Sequence, residues 1–157
     1  MKILFVCTHN RCRSILAEAM ANQLGDGMIS ATSAGSAPAG EVHPMTLQAL
    51  KSRGVPVKGL HSKSWDNLDS LIPDVVITVC DNVAGEECPL WLGEALKAHW
   101  GLADPSSLEG SKEEKMQAFD DTMNSLATRI NGLVGLLKQQ ADKNQVQIYL
   151  NSWHSKN

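Results

Sequence analysis

The stretch Cys7-Thr8-His9-Asn10-Arg11-Cys12-Arg13-Ser14 decides the fold. An apolar run, Ile3 to Val6, leads into it, and Ile15, Leu16, Ala19, Met20 and Leu24 follow it at helical spacing. Strand, tight loop and helix N-terminus, in that order, build an oxyanion site. Successive backbone N–H groups turn inward, and the helix dipole adds partial positive charge. A thiol at the head of such a loop is expected to lose its proton readily among those donors. Arg13 can hold two oxygens of a tetrahedral oxyanion in fork geometry, and Ser14 can donate a hydroxyl hydrogen bond to the sulfur.

Working outward, Lys2–Val6 reads as a strand buried on both faces, as central parallel strands are. The first helix is expected over Arg13–Leu24, with Gly25 as its C-terminal stop. Met28–Ser33 is expected as the second strand, closing at Ala34-Gly35, followed by a loop to Gly40. His43-Pro44 opens a second helix that ends at Gly54, proline being favoured in a first turn. Residues 57–70 read as polar loop with a short helical turn. Val75–Val79, five apolar or β-branched residues after Pro73-Asp74, is the clearest strand. Asp81–Pro89 reads as a polar loop or weak helix, Leu90–Leu96 as a brief helix and Lys97–Trp100 as a fourth strand. Ser111 and Glu114 form a capping box ahead of a long helix striped by Phe119, Met123, Leu126, Ile130, Leu133 and Leu137.

Alternating strands and helices imply an α/β fold, a four-stranded parallel sheet flanked by helices on both sides. Residues 1–140 make the expected domain. In the remaining 141–157 tail only Val146–Leu150 has a pattern, that of a short edge strand.

At 157 residues, the chain fits one domain with a real core. A net charge of -3 argues against nucleic acid or an anionic membrane as the main partner. Apolar runs are too short to span a bilayer, and polar Thr8-His9-Asn10 interrupts any signal-like start, so a cytoplasmic protein is expected; separately, a monomer is expected. In a reducing compartment, four cysteines are reactive or buried rather than bridged.

Cys80 and Cys88 flank a loop just past the Val75–Val79 strand. Cys7 ends the first strand, and C-terminal strand ends are where ligands gather in parallel sheets. The pair can be two buried cysteines, metal ligands with His99, or a dithiol relay. Seven intervening residues fit no common zinc knuckle, and a loop containing Asn82 and Gly85 can rearrange, so the relay is favoured. Asp104-Pro105 follows the fourth strand, where an aspartate can exchange a proton with a bound oxyanion or simply cap a turn. Cys12 is read as a small residue packed under the loop. No catalytic role is assigned to His9.

With these residues in place, the chain resembles the arsenate reductases of the low-molecular-weight tyrosine phosphatase superfamily. The matching pieces are Cys7–Ser14, Ser33-Ala34-Gly35, His43-Pro44, Val75–Cys80 with Cys88-Pro89, and His99-Trp100-Gly101-Leu102-Ala103-Asp104-Pro105. The resemblance implies Cys7 as nucleophile on arsenate, Arg13 as oxyanion clamp, Ser14 as thiolate support and Asp104 as proton donor. Thr8, His9, Asn10, Arg11, Cys12 and Arg13 would form the oxyanion loop. It further implies a Cys7–Cys80 disulfide on arsenite release, its transfer to Cys80–Cys88, and reduction by thioredoxin, or by glutaredoxin with glutathione, for arsenic detoxification without a cofactor. The Cys80–Cys88 gap is one residue longer than the commonest family pattern. Some members bind potassium through an Asn, a Glu, a Ser and an Asp. Asn10, Glu18 and Ser33 match, whereas Lys63 stands at the Asp position, so its ammonium is expected to replace the ion.

Two rivals compete. A phosphatase working through a phosphocysteine would use the same Cys7, Arg13 and Asp104, but Ser106-Ser107 stands where related phosphatases carry aromatic residues around the substrate ring. A non-catalytic arsenic sensor would use Cys80 and Cys88 as soft ligands, but it would need no general acid.

Overall fold

The apolar run before the loop becomes β1 (Lys2–Cys7), and Ile3 to Val6 are all buried. The computed structural model describes residues 1–68, 70–80 and 94–153. β1 pairs in parallel with β2 (Ser30–Gly35) on one side and β3 (Val75–Thr78) on the other, and β3 pairs in parallel with β4 (Leu96–His99). The strand order is therefore β2-β1-β3-β4. The register sets Val6 opposite Thr78, which brings the chain after β1 beside the chain after β3. Both lie at the C-terminal edge of the sheet.

Helix α1 (Arg13–Leu24) packs on β1 and β2 with Ile15, Leu16 and Ala19 buried. It stops at Gly25, as expected, but for a different reason: Gly25 has φ −70, and the left-handed residues are Asp26 and Gly27. Glycine is needed because a Cβ at 25 would meet the Ala21 carbonyl oxygen at 2.6 Å and Ile29 Cβ at 2.8 Å. The second strand starts at Ser30 rather than Met28, since a turn occupies residues 26–28. Helix α2 (Pro44–Ser52) has Pro44 in its first turn and His43 as its N-cap. Helix α3 (Lys112–Lys138) begins with the anticipated Ser111/Glu114 capping box and contacts α1 and α2, burying Phe119, Met123, Leu126, Ile130 and Leu133. Trp65–Asn67 and Pro105–Ser107 are short 3-10 turns.

Two expectations are corrected. Leu96 does not end a helix; it opens β4, bonded through its N–H to the Asp74 carbonyl at 3.0 Å. The segment with Val146–Leu150 is no edge strand but helix α4 (Lys143–Asn151), capped reciprocally by Asp142 and Gln145. Val146 and Leu150 recur one helical turn apart and are both buried. Tyr149 on the same helix donates to the Arg129 carbonyl at 2.6 Å, and its ring occupies the space beside Gly132. Trp100 Nε1 donates to the Leu150 carbonyl at 3.2 Å, tying α4 to the end of β4. The Arg129 guanidinium lies buried between the rings of Trp100 and Trp153, at 5.8 and 5.1 Å. The segment expected as the Asp81–Pro89 loop, and with it Cys88, lies outside the described residues.

Candidate active site

Cys7 is the last residue of β1, and Cys80 lies two residues past β3, so the paired strands deliver two sulfurs to one place. Both are buried. The Thr8 N–H points at Cys80 Sγ at 3.3 Å, and the Thr8 hydroxyl lies 3.6 Å from the same sulfur. Cys7 Sγ is 2.9 Å from the Ser14 hydroxyl. The expected readily ionised thiol is not what the unliganded geometry yields. The hydrogen bond shared with the Cys80 sulfur and then burial push the Cys7 thiol up, while Ser14 pulls it down. Two buried sulfurs side by side retain a proton between them, because two adjacent thiolates would repel in a poorly solvated site.

The loop between Cys7 and α1 is shaped by Asn10, whose φ of 46 is left-handed, a conformation asparagine tolerates. Its side chain is fully buried and turned beneath the loop, bonded to Ser14 and Ser33, so among the anticipated oxyanion-loop residues Asn10 does not face the pocket. Thr8 contributes its backbone N–H to Cys80 instead. Gly35 must be glycine, since a Cβ there would meet the Thr8 carbonyl at 2.5 Å and Asn10 Cβ at 3.0 Å. At the α1 N-terminus, Cys12 makes no side-chain cap bond, leaving the first-turn N–H groups without a side-chain cap acceptor. Cys12 itself is pushed up to about 12, chiefly by burial, and behaves as a packed thiol.

A cavity of about 320 Å³ opens over this loop, lined by Cys7, His9, Arg11, Cys12, Arg13, His43, Asp104, Ser106 and Ser107. Arg13 Nη1 donates to the Leu102 carbonyl at 2.9 Å, and Nη2 lies 3.7 Å from Asp104 Oδ2. Asp104 also caps the turn that follows it: its Oδ1 accepts from the Ser106 N–H at 2.9 Å and hydroxyl at 2.6 Å. The turn-capping reading of this aspartate is the one the structure shows. Oδ1 is engaged in the turn, and Oδ2 is left on the Arg13 side.

His43 is not among the site residues expected from sequence, where His43-Pro44 only opens the second helix. Its Nδ1 accepts the Met45 N–H at 3.1 Å, which requires the proton on Nε2 and a neutral ring. Burial first and Arg11 second lower its pKa from the ordinary histidine value of 6.5, in the same sense. Beneath the loop, Ser33 donates to Glu18 at 2.7 Å and Lys63 Nζ lies 3.5 Å from the same carboxylate oxygen. His99 Nδ1 is paired with the Thr78 hydroxyl at 2.7 Å. Among the described residues, no three His, Cys, Asp or Glu side chains are grouped to hold a metal, and no helix is long and apolar enough to cross a membrane.

Residues 2–146 match the model of the low molecular weight phosphotyrosine protein phosphatase family. A curated arsenate reductase of Bacillus subtilis is 35% identical over 132 residues, covering 82% of this chain and 91% of the relative. A glutaredoxin arsenate reductase of Synechocystis is 29% identical over 133 residues, covering 85% and 95%. Among solved structures, an arsenate reductase in a phosphate-binding state superposes with a TM-score of 0.70 at 30% identity, over 85% of this chain and 96% of that one. With its parallel sheet, its Cys7–Ser14 loop and a family match over nearly its whole length, this chain belongs to the low molecular weight phosphotyrosine protein phosphatase family, beside relatives that are arsenate reductases.

Proposed function

We propose that the chain reduces arsenate to arsenite with Cys7, Cys80 and Cys88 as a disulfide relay, serving arsenic detoxification. The observation that carries this reading is the second sulfur: Cys80 shares the Cys7 site, held there by the Thr8 N–H. A phosphocysteine phosphatase needs one thiol at that point; a two-electron reduction needs two.

In the proposed sequence, arsenate binds over the loop with its oxygens on the first-turn N–H groups of α1 and on Arg13. Cys7 Sγ attacks arsenic, and an arsenic-bound oxygen departs as water with a proton from Asp104. Cys80 Sγ then attacks Cys7 Sγ. The sulfur–arsenic bond breaks, its electron pair stays on arsenic, As(V) becomes As(III), and arsenite leaves behind a Cys7–Cys80 disulfide. Cys88 attacks Cys80 and frees Cys7 as a thiolate. A dithiol partner reduces the resulting Cys80–Cys88 bond and completes the two-electron account. Thioredoxin is the proposed partner, with glutaredoxin, which the name of the Synechocystis relative carries, and glutathione as the other candidate. Ser106 and Ser107 on the cavity wall, their hydroxyls donating to Asp104, present no aromatic face to a substrate ring, which suits a small inorganic oxyanion.

Lys63 is proposed to supply the positive charge that potassium supplies in some relatives, its ammonium sitting against Glu18. Turnover equal in potassium and sodium is expected, and stimulation by potassium would contradict it.

The functional test is arsenate-dependent NADPH consumption with thioredoxin and its reductase, run in parallel with glutathione, glutaredoxin and glutathione reductase. Turnover in one of the two systems is expected. Hydrolysis of an aryl phosphate with no arsenate-dependent NADPH loss in either would favour the phosphatase instead.

A further inference from the structure

We infer that His43 is a further ligand for the substrate, its ring Nε2–H donating to one oxygen of a tetrahedral oxyanion held in the cavity over the loop. This assignment rests on the proposed reading of that cavity as an oxyanion site, and it adds a donor from outside the Cys7–Ser14 loop.

The ring is fastened to the loop and to the helix behind it. The His43 backbone N–H donates to the Arg11 carbonyl at 2.9 Å, and the Thr46 hydroxyl donates to the same oxygen at 3.2 Å. The first turn of α2 is thus tied to the middle of the oxyanion loop. On its other side the imidazole packs against Phe119 of α3, with ring centroids 6.2 Å apart. Nδ1 is held by the Met45 N–H at 3.1 Å, the cap bond of α2. Serine, threonine, aspartate or asparagine would suffice for that cap. Histidine brings a second nitrogen.

A ring nitrogen that accepts carries no hydrogen, so the one ring hydrogen sits on Nε2. Among the described residues no protein acceptor takes it, while His43 lines the same cavity as Cys7, Arg11 and Arg13. The carboxylate in that cavity is engaged elsewhere: Asp104 Oδ1 accepts from Ser106, and Oδ2 lies on the Arg13 side. A donor without a protein acceptor, beside two guanidinium groups, is matched by an oxygen of an anion. The neutral ring is what makes this possible. A second proton would occupy Nδ1, set two donors against each other at Met45 and break the cap. Burial, then Arg11 from the loop, with Lys115 from α3, resist that proton, and Asp104 favours it.

The probe is inorganic phosphate, and two measurements are made at neutral pH. In titration calorimetry, His43→Ser, which keeps a cap acceptor and loses the second nitrogen, is expected to bind phosphate about tenfold more weakly, the worth of one hydrogen bond to a charged acceptor. Its melting temperature should stay close to that of the parent protein. In long-range 1H–15N spectra of the parent protein, the His43 ring should show a hydrogen on Nε2 and none on Nδ1. Saturating phosphate should then shift the Nε2 resonance, which a residue that only caps the helix would not do. An unchanged phosphate Kd in folded His43→Ser protein overturns the inference, as does a parent protein that binds no phosphate or whose His43 Nε2 resonance stays put at saturation. Should His43→Ser not fold, the Nε2 resonance of the parent protein decides alone. Absence of arsenate turnover with both reductant systems, while phosphate still shifts His43, would strike the reductase reading and leave this ligand standing.

Discussion

Arg13 is proposed to meet the oxyanion through its planar fork, which the Leu102 carbonyl holds and which faces Asp104. Lysine keeps the charge but not the two parallel N–H donors. Arg13→Lys is therefore expected to lower kcat/KM for arsenate by about 100- to 1,000-fold, the usual loss for one oxyanion donor, with the thermal midpoint unchanged. Steady-state kinetics beside a melting curve checks both halves. Cys12 illustrates the opposite case. It lies in the loop, but its thiol is pushed up to about 12 by burial and stays protonated at neutral pH. Cys12→Ser should retain multiple turnover, and its loss in a folded protein would return Cys12 to the chemistry. His43 gives a pH signature. Its folded pKa is lowered from 6.5, so below that value the unfolded chain binds more protons and stability falls as pH falls. Burial acts first, Arg11 and Lys115 act in the same direction, and Asp104 opposes them. His43→Asn preserves a cap acceptor while removing the titration, so the drop in melting temperature between neutral pH and about pH 5 should shrink.

Most helices and strands were legible because each carried a local physical signal. The Ser111/Glu114 box and a stripe of spaced apolar residues define α3, and an unbroken apolar run defines β1. Helix α4 was misread for an equally local reason: five residues with Val, Ile, Tyr and Leu favour a strand when counted by type. The Asp142/Gln145 box just before them was the better signal, because it fixes a helix start whatever follows. Burial confirms the assignment, and Leu150 is fully buried against the end of β4 and α3. Leu150→Ala should cost about 2–5 kcal/mol in urea unfolding while leaving KM for arsenate unchanged, since the helix holds the sheet edge and not the pocket. Gly35→Ala should do the reverse in kind. Its Cβ would push on the Thr8 carbonyl and Asn10 at the base of the loop, so activity should fall well before stability does.

For the molecule as a whole, the sequence was most informative where spacing and strand order act together. Cys7 and Cys80 are 73 positions apart, and only the parallel pairing of β1 with β3 makes them neighbours. That pairing follows from alternating strands and helices, so the meeting of the two sulfurs could be anticipated. What could not be anticipated lies in side-chain direction. Asn10 turns under the loop, Asp104 divides its two oxygens between a turn and Arg13, and His43 enters the pocket wall as a neutral cap. Nor does spacing reveal that two adjacent buried sulfurs raise the Cys7 thiol, since that depends on how closely they pack. In the proposed reaction Cys80 takes the arsenic-bound Cys7 sulfur, and a single turnover of Cys88→Ser isolates that step. Mixed with excess arsenate and no reductant, this variant should release one arsenite per chain and stop, with peptide mapping locating a Cys7–Cys80 disulfide. Release of arsenite without that disulfide, or no arsenite at all from a folded Cys88→Ser protein, would contradict the account.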